Sequence, residues 1–183
     1  MMICYSRGRR FSAAAALLAV SLAAGQLACK RHRVAVETVE ESPMLASVVA
    51  AADPHAAAQL ITGFYGIEQN SWRWTAGRFS VLLRPPHSAA TAGAVLQLKF
   101  AIPDVAMANA HGLSLSAYVN GTALAPESYT QAGQFTYTRD VPAALLSGDS
   151  VRVDFAVDKT MPPTPTDKRE LGVVVSMIGF QPK

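Results

Sequence analysis

From residue 59 onward, apolar residues alternate with polar ones at a period of two, and turn signals recur about every ten residues. The clearest segments are AVLQLKFAI, LSLSAYV and SVRVDFAV, each of which has one apolar and one polar face. Period-two alternation is typical of strands that are buried on one face only. The pattern therefore predicts antiparallel sheet, with no long helix in this part of the chain.

Turn residues divide this part of the chain into about seven or eight short strands. Asn120 and Gly121 follow LSLSAYV directly, and Asn-Gly is a preferred centre of a two-residue hairpin. The segments PDVAMANAHG and PAALLSG predict short helical turns, and the apolar run LGVVVSMIGF predicts a strand covered on both faces. The expected fold class is all-β: an antiparallel β-sandwich, jelly-roll-like or immunoglobulin-like, with one or two short helical turns.

The first 28 residues have the layout of a secretory signal peptide. Arg7, Arg9 and Arg10 form a basic start, an apolar segment covers residues 11–22, and small residues follow. This apolar segment is too short for an ordinary membrane span. We therefore interpret residues 1–28 as a signal peptide and expect an exported protein.

Cys29 is the single cysteine that remains after the signal peptide, which excludes a disulfide framework. The motif GQLAC that ends at Cys29 resembles the lipidation motif of bacterial lipoproteins, in which the thiol becomes a thioether to diacylglycerol. The resemblance implies lipidation of Cys29 and a membrane-anchored protein of the cell envelope, on the periplasmic or surface face of the outer membrane. The alternative is cleavage after Gly25, which leaves a soluble chain with one free thiol.

Residues 29–58 lie between the signal peptide and the first predicted strand. Ser42 is suited to cap a short helix on which Val48 and Val49 share one face. We interpret this segment as a lipidated tether with a short helix, which is either structural or a docking element for a partner. Residues 59–183 then form the β-sandwich domain.

The charge of the exported chain is balanced. All 13 acidic residues follow the signal peptide, whereas three of the 16 basic residues lie within it. A neutral chain without a basic run lacks the electrostatic footprint of a nucleic-acid-binding protein. We expect no nucleic-acid partner.

The segment GFYGIEQNSWRWTAGRF holds both tryptophans and is the strongest candidate for a binding site. In a strand, Trp72 and Trp74 project to one face and Arg73 to the other. If that face is exposed, the indoles form a stacking platform for sugar rings, to which Tyr65 or Tyr118 adds a further ring. If it is buried, they are large parts of the core. We expect one indole to be buried and the other to be partly exposed.

Glu68 is the acidic residue of the same segment. With Arg73 it forms a charged pair suited to bind a polar ligand. The alternative is a structural ion pair of Glu68 with Arg73 or Arg169, because the first and last strands of a sandwich usually lie close together. The ligand-binding candidates are Tyr65, Glu68, Trp72, Arg73 and Trp74.

Three motifs together resemble the small β-sandwich modules of bacterial envelope and glycan-associated proteins. They are GFYGIE followed by WRWTAGRFSVLLRPP, the hairpin YVNGTAL, and the closing KRELGVVVSMIGF. The resemblance covers residues 61–180. It implies a fold related to carbohydrate-binding modules and carries over no functional residue.

The sequence lacks the motifs of common catalytic and cofactor-binding sites. Its four histidines are scattered, and no Gly-x-Ser-x-Gly elbow, phosphate loop or dinucleotide fingerprint occurs. We expect no catalytic residue, no metal and no cofactor. The one carboxylate pair considered for glycoside hydrolysis is Glu68 with Asp154.

The leading interpretation is a non-catalytic exported lipoprotein whose sandwich binds a glycan or another envelope component. The second is a structural or assembly protein that engages a protein partner through a sheet edge or face. A small hydrolase is the third. An exposed aromatic patch favours the first, an uncovered strand edge the second, and a cleft with convergent carboxylates the third.

Overall fold

The computed structural model describes residues 45–183 as an all-β fold of antiparallel strands with a few short helical turns, which confirms the expected fold class. The strands are β1 (Val48–Ala50), β2 (Leu60–Glu68), β3 (Trp72–Leu83), β4 (Ala94–Ile102), β5 (Leu113–Val119), β6 (Thr122–Ala123), β7 (Glu127–Tyr129), β8 (Gly133–Val141), β9 (Val151–Val157) and β10 (Val174–Pro182). The helices are α1 (Ala89–Ala92) and α2 (Asp104–Ala110), with 3-10 turns at Pro54–Ala58 and Ala143–Leu145.

Strand β3 changes its neighbour halfway along its length. Its first half pairs with β10, and its second half, from Arg78 to Leu83, pairs with β9. Strand β2 borders the other side of β3 from Glu68 back to Leu60. The β2–β3 hairpin is therefore shared by two layers of the sheet. Layer one contains β5, β9 and the second half of β3, and layer two contains the first half of β3, β10, β4 and β8.

The change of neighbour occurs at Ala76 and Gly77, where the chain around residue 172 passes close to β3. A Cβ atom on Gly77 would lie 2.9 Å from Cγ2 of Thr160, and one on Gly172 would lie 2.6 Å from the carbonyl oxygen of Ala76. Gly172 is therefore needed for the close approach of two backbones, whereas Gly77 leaves room for the side chain of Thr160. The approach positions the backbone of Gly172 to donate to the carbonyl of Thr75 at 2.7 Å.

The alternating apolar residues of both layers form one core. Phe79 of β3 stacks on Phe155 of β9, with 5.0 Å between ring centroids. Phe100 of β4 meets Tyr129 of β7 edge-on at 5.2 Å, which joins layer two to the strand that pairs with β5. Complete burial of such a side chain contributes about 1.5–3 kcal/mol. The polar residues that alternate with this set face outward on each layer.

The predicted helix around Val48 and Val49 is wrong, because these residues form β1. Val48 pairs with Gly179 and Val49 with Ile178, so β1 extends the sheet beside β10. The side-chain amide of Gln59 binds both the N–H and the carbonyl of Ala46 at 3.0 Å. Long-range pairing thus overrides the local helical pattern, and residues assigned to the tether belong to the folded domain.

Two hairpin turns follow from residues that adopt positive φ. Asn120 and Gly121 have φ values of 47° and 83° and join β5 to β6, which confirms the predicted turn. Gln69 and Asn70 have φ values of 50° and 51° and join β2 to β3. The tight second turn positions Trp72 opposite Glu68.

We predict that Gly63→Ala destabilises the fold far more than Gly66→Ala, although both glycines lie in β2. Gly63 has φ +76°, and a Cβ atom there would lie 2.1 Å from the carbonyl oxygen of Arg78, whereas a Cβ atom on Gly66 meets nothing within 4 Å. We expect Gly63→Ala to lower the free energy of unfolding by roughly 1–3 kcal/mol and Gly66→Ala to change it by less than about 0.5 kcal/mol. Urea unfolding followed by tryptophan fluorescence tests this, and equal effects of the two substitutions would contradict it.

Candidate functional site

Trp72 and Trp74 lie on the outer face of layer two. Trp74 is opposite Val174 of β10, whereas Arg73 is opposite the buried Val175. The two indoles meet edge to face, with 6.3 Å between centroids and 84° between planes. Both are half-buried, so the expectation that one would be buried is wrong. The reason is that both rings stand outside the sheet, where each covers the other but the core covers neither.

Trp72 forms part of a cavity of about 320 Å³ on this outer face. Neighbouring strands β4, β8 and β10 supply the other walls, because their outward residues stand beside the first half of β3. The polar side chains that line the cavity with Trp72 are Ser71, Lys99, Gln134, Thr136 and Ser176. We call the set Trp72, Trp74, Lys99, Gln134 and Thr136 the tryptophan face.

The polar side chains of the tryptophan face have hydrogen-bonding capacity to spare. Within residues 45–183, the side chains of Lys99, Gln134 and Thr136 make no hydrogen bond and no ion pair. Together they present an ammonium donor, an amide that donates and accepts, and a hydroxyl that does both. The arrangement is suited to hold a polar ligand against an indole.

Tyr65 and Glu68 lie in a different cluster, which fastens the segment before β10 to β2. Glu68 Oε1 and Arg169 Nη1 are 2.8 Å apart, which confirms the predicted ion pair with Arg169. The Tyr65 hydroxyl donates to the carbonyl of Glu170 at 2.7 Å, and the Arg169 guanidinium lies 5.3 Å from the Tyr65 ring centroid. The polar groups of both candidates thus have partners within the fold.

The Arg73 guanidinium is directed away from the tryptophan face. Its Nε donates to the carbonyl of Ala51 at 2.6 Å, and its Nη1 donates to the carbonyl of Tyr65 at 2.9 Å. Arg73 therefore ties the end of β1 to β2. Among the five candidates, the structure brings Trp72 and Trp74 into ring contact. Glu68 is opposite Trp72, but its carboxylate is paired with Arg169, and the polar groups of Tyr65 and Arg73 are bonded within the fold.

The carboxylates of Glu68 and Asp154 are too far apart to act as a glycosidase pair. Glu68 is opposite Trp72 and Asp154 is opposite Ser80. These positions are separated by roughly 25 Å along β3 at about 3.3 Å per residue. Glycosidase carboxylates lie about 5–9.5 Å apart, so the structure excludes this pair. Residues 45–183 also contain no group of three or more His, Cys, Asp or Glu side chains placed to hold a metal ion.

Sequence reasoning missed Lys99, Gln134, Thr136 and Ser176 as members of the site. Their only local signal is the alternation of β4 and β8, in which Lys99 stands between Leu98 and Phe100 and Thr136 between Phe135 and Tyr137. Alternation shows which side chains point outward, but it does not show which strand lies beside a given strand in the sheet. The neighbourhood with Trp72 follows from the order β3, β10, β4, β8, which is a long-range property.

Comparisons with known proteins find similar structures but no similar sequences. No family model matches the sequence, and no curated protein sequence does. Among solved structures, a family 36 carbohydrate-binding module solved with calcium and xylotriose aligns with TM-score 0.41 and 10% identity over 73% of this chain and 98% of its own. A second module of that family, from a multidomain xylanase of the hindgut metagenome of Trinervitermes trinervoides, aligns with TM-score 0.43 and 10% identity over 74% and 96%.

An acetyl xylan esterase from the rumen bacterium Butyrivibrio proteoclasticus also aligns, with TM-score 0.43 and 10% identity over 76% of this chain and 34% of the esterase.

We predict that the ion pair of Asp167 with Arg169 is lost in acid. Hydrogen bonds from the Arg169 side chain and backbone lower the pKa of Asp167 to about 2. Because the pKa is lower in the folded state than its ordinary value of about 3.9, the stabilisation is complete above about pH 4 and is lost as the pH falls toward 2. In Arg169→Gln, carboxyl NMR titration should give Asp167 a pKa clearly above 2, and the backbone N–H that remains at position 169 should keep it below the ordinary value. Lys168→Gln, which removes a neighbouring charge, should leave it near 2, and a pKa that stays near 2 in Arg169→Gln would contradict the assignment.

Proposed function

We propose that this protein is a non-catalytic exported lipoprotein whose β-sandwich binds a glycan on the tryptophan face. One observation carries the proposal: the partly exposed Trp72 shares a cavity with Lys99, Gln134 and Thr136, whose side chains have no partner within residues 45–183. Unpartnered polar groups beside a partly exposed indole are the components of a site for a ligand with one apolar and one polar side.

A sugar ring has this dual character. Its C–H face packs against an aromatic ring, while its hydroxyls lie at the edge and exchange hydrogen bonds. The indole supplies a large apolar surface, and the amide of Gln134 and hydroxyl of Thr136 both donate and accept, as sugar hydroxyls do. The cavity of about 320 Å³ lies within the range of about 300–1,000 Å³ in which small-molecule sites occur.

Export and lipidation are proposed from the sequence, because residues 1–28 and Cys29 lie outside the described residues. The basic start, the apolar segment and a cysteine after small residues support them. Within residues 45–183, no helix is long and apolar enough to cross a membrane. A diacylglycerol anchor with an added acyl chain supplies several chains, each contributing about 0.8 kcal/mol per buried methylene.

The glycan site is tested by a glycan-array screen, followed by calorimetry with the tightest ligand. Trp72→Ala should raise the Kd at least about tenfold, since central aromatic side chains of interfaces contribute about 2 kcal/mol or more. Gln134→Ala should raise the Kd severalfold without lowering Tm, because Gln134 is exposed and has no internal hydrogen bond. Thr138→Ala is the matched control, because Thr138 is exposed on the same strand and does not line the cavity.

Two outcomes would overturn the glycan proposal. The first is the absence of binding to any arrayed glycan by the wild-type protein. The second is a Gln134→Ala variant whose Kd equals that of Thr138→Ala for every ligand found.

A protein partner is the second candidate function, and the edge of layer two favours it. Strand β8 has nine residues and pairs with β4 alone among the described strands. An uncovered edge of this length is able to accept a strand from another protein. A pull-down from envelope extract that recovers one partner, with no glycan bound, would favour this function. Loss of the partner on Thr136→Pro, which introduces proline into β8, would place it at this edge.

Lipidation is tested separately with Cys29→Ser. We expect wild type to incorporate a radiolabelled fatty acid and to fractionate with membranes, and Cys29→Ser to do neither, because the thiol is the acceptor of the diacylglycerol group. Unchanged membrane association of Cys29→Ser, together with an unlabelled wild type, would contradict the anchor and favour cleavage after Gly25.

A further inference from the structure

The outer face of layer one carries a second cavity, of about 440 Å³, on the opposite side of the sandwich from the tryptophan face. Register places four of its lining residues in a row across four strands. Thr62 of β2 is opposite Ser80 of β3, Ser80 is opposite Asp154 of β9, and Asp154 is opposite Tyr118 of β5. Arg78 and Arg152 flank this row. We call these six residues the arginine groove.

The centre of the arginine groove is a fixed polar network. Arg152 Nε donates to Asp154 Oδ1 at 2.8 Å, Arg152 Nη2 donates to Ser80 Oγ at 3.1 Å, and the Ser80 hydroxyl donates to Asp154 Oδ1. Burial on its own would raise the pKa of Asp154, but the hydrogen bonds from Arg152 and Ser80 hold it below its usual value. Asp154 is therefore charged at neutral pH and neutralises Arg152. Its Oδ2 accepts no hydrogen bond from residues 45–183 and is available to a ligand.

The side chains of Arg78 and Tyr118 are exposed and make no hydrogen bond or ion pair within residues 45–183. Asp158 and Glu170 share a neighbouring depression with Arg78, but neither carboxylate lies within the 4.0 Å of its guanidinium that an ion pair requires. Tyr118 is 36% exposed, which is unusual for an aromatic side chain in a strand of this sandwich.

We propose that the arginine groove binds a sugar that carries a carboxylate. The guanidinium of Arg78 receives the carboxylate through two parallel N–H donors, a geometry that planar carboxylates match. The sugar ring packs on Tyr118, and a ring hydroxyl donates to the free Oδ2 of Asp154.

The charges of the groove favour a monoanion over other ligands. Arg152 is paired with Asp154, so among the cations of the groove Arg78 is the one without an ion pair in residues 45–183. A phosphate would bring a larger negative charge close to Asp154, and like charges within a few ångströms oppose binding. A neutral sugar would leave the Arg78 guanidinium without a partner.

This inference stands apart from the glycan proposal for the tryptophan face. The two sites share no lining residue, and they lie on the outer faces of different layers with the core between them. A substitution in one site is therefore an internal control for the other.

The test is calorimetry of the full folded chain with trigalacturonic acid and with its carboxyl-reduced form. We expect Arg78→Gln to weaken binding of the acid at least about tenfold, because a hydrogen bond to a charged group contributes about 1.5–3 kcal/mol.

Tyr118→Ala should weaken binding of both the acid and the reduced sugar. Trp72→Ala and Arg84→Gln are the controls and should change the Kd less than about twofold; Arg84 makes no side-chain hydrogen bond within residues 45–183.

Four results would overturn the inference. They are equal affinity for the acid and its reduced form, equal Kd values for Arg78→Gln and Arg84→Gln, equally tight binding of a short glutamate peptide, and loss of binding in Trp72→Ala. The last would move the acidic sugar to the tryptophan face. Tm and near-UV circular dichroism of each variant, compared with wild type, show whether a loss of binding reflects a loss of fold. Arg78→Lys, which keeps the charge without the planar fork, should recover only part of the affinity.

Discussion

The pairing of β3 with two different strands is the constraint on which the rest of the sandwich depends. Its first half is bonded to β10 and its second half to β9, so one continuous strand belongs to both layers. Where β3 changes its neighbour, the backbone at Gly172 comes so close to the carbonyl of Ala76 that a side chain does not fit at position 172. One continuous strand thus connects the two layers, and the apolar residues of both meet in one core.

The outer faces of the two layers carry different sets of polar side chains. Residues that alternate with the core residues of layer two project beside the indoles, where they surround a cavity with amide, hydroxyl and ammonium groups. The same alternation in layer one produces a row of hydroxyl, carboxylate and aromatic groups flanked by two arginines. The two surfaces differ in how many of their polar side chains have partners within the fold. The Arg152–Asp154 pair is internally bonded, whereas Lys99 and Arg78 retain their full capacity for a ligand.

Local signals in the sequence predicted the strand content well, because they report on one residue's face or one turn. Alternation located β4, β5 and β9, and Asn120-Gly121 located the hairpin between β5 and β6. Where partners are remote, prediction failed: Val48 and Val49 look helical until β10 is placed beside them. The site divides in the same way. Trp72 and Trp74 were identified in the sequence as candidate binding residues. Lys99, Gln134 and Arg78 were not, because their place in a site depends on which strands lie next to them.

The position of β1 also determines how force enters the domain. Any pull from the N-terminal side reaches the fold first at Ala46, which the buried amide of Gln59 links to β3 through the carbonyl of Leu82 at 2.7 Å. It passes next to the three residue pairs between β1 and β10, and β10 lies between β3 and β4. The load is thus spread over the middle of layer two. A short terminal strand and one glutamine thus connect the N-terminal end of the described domain to β3 and β10 at the same time.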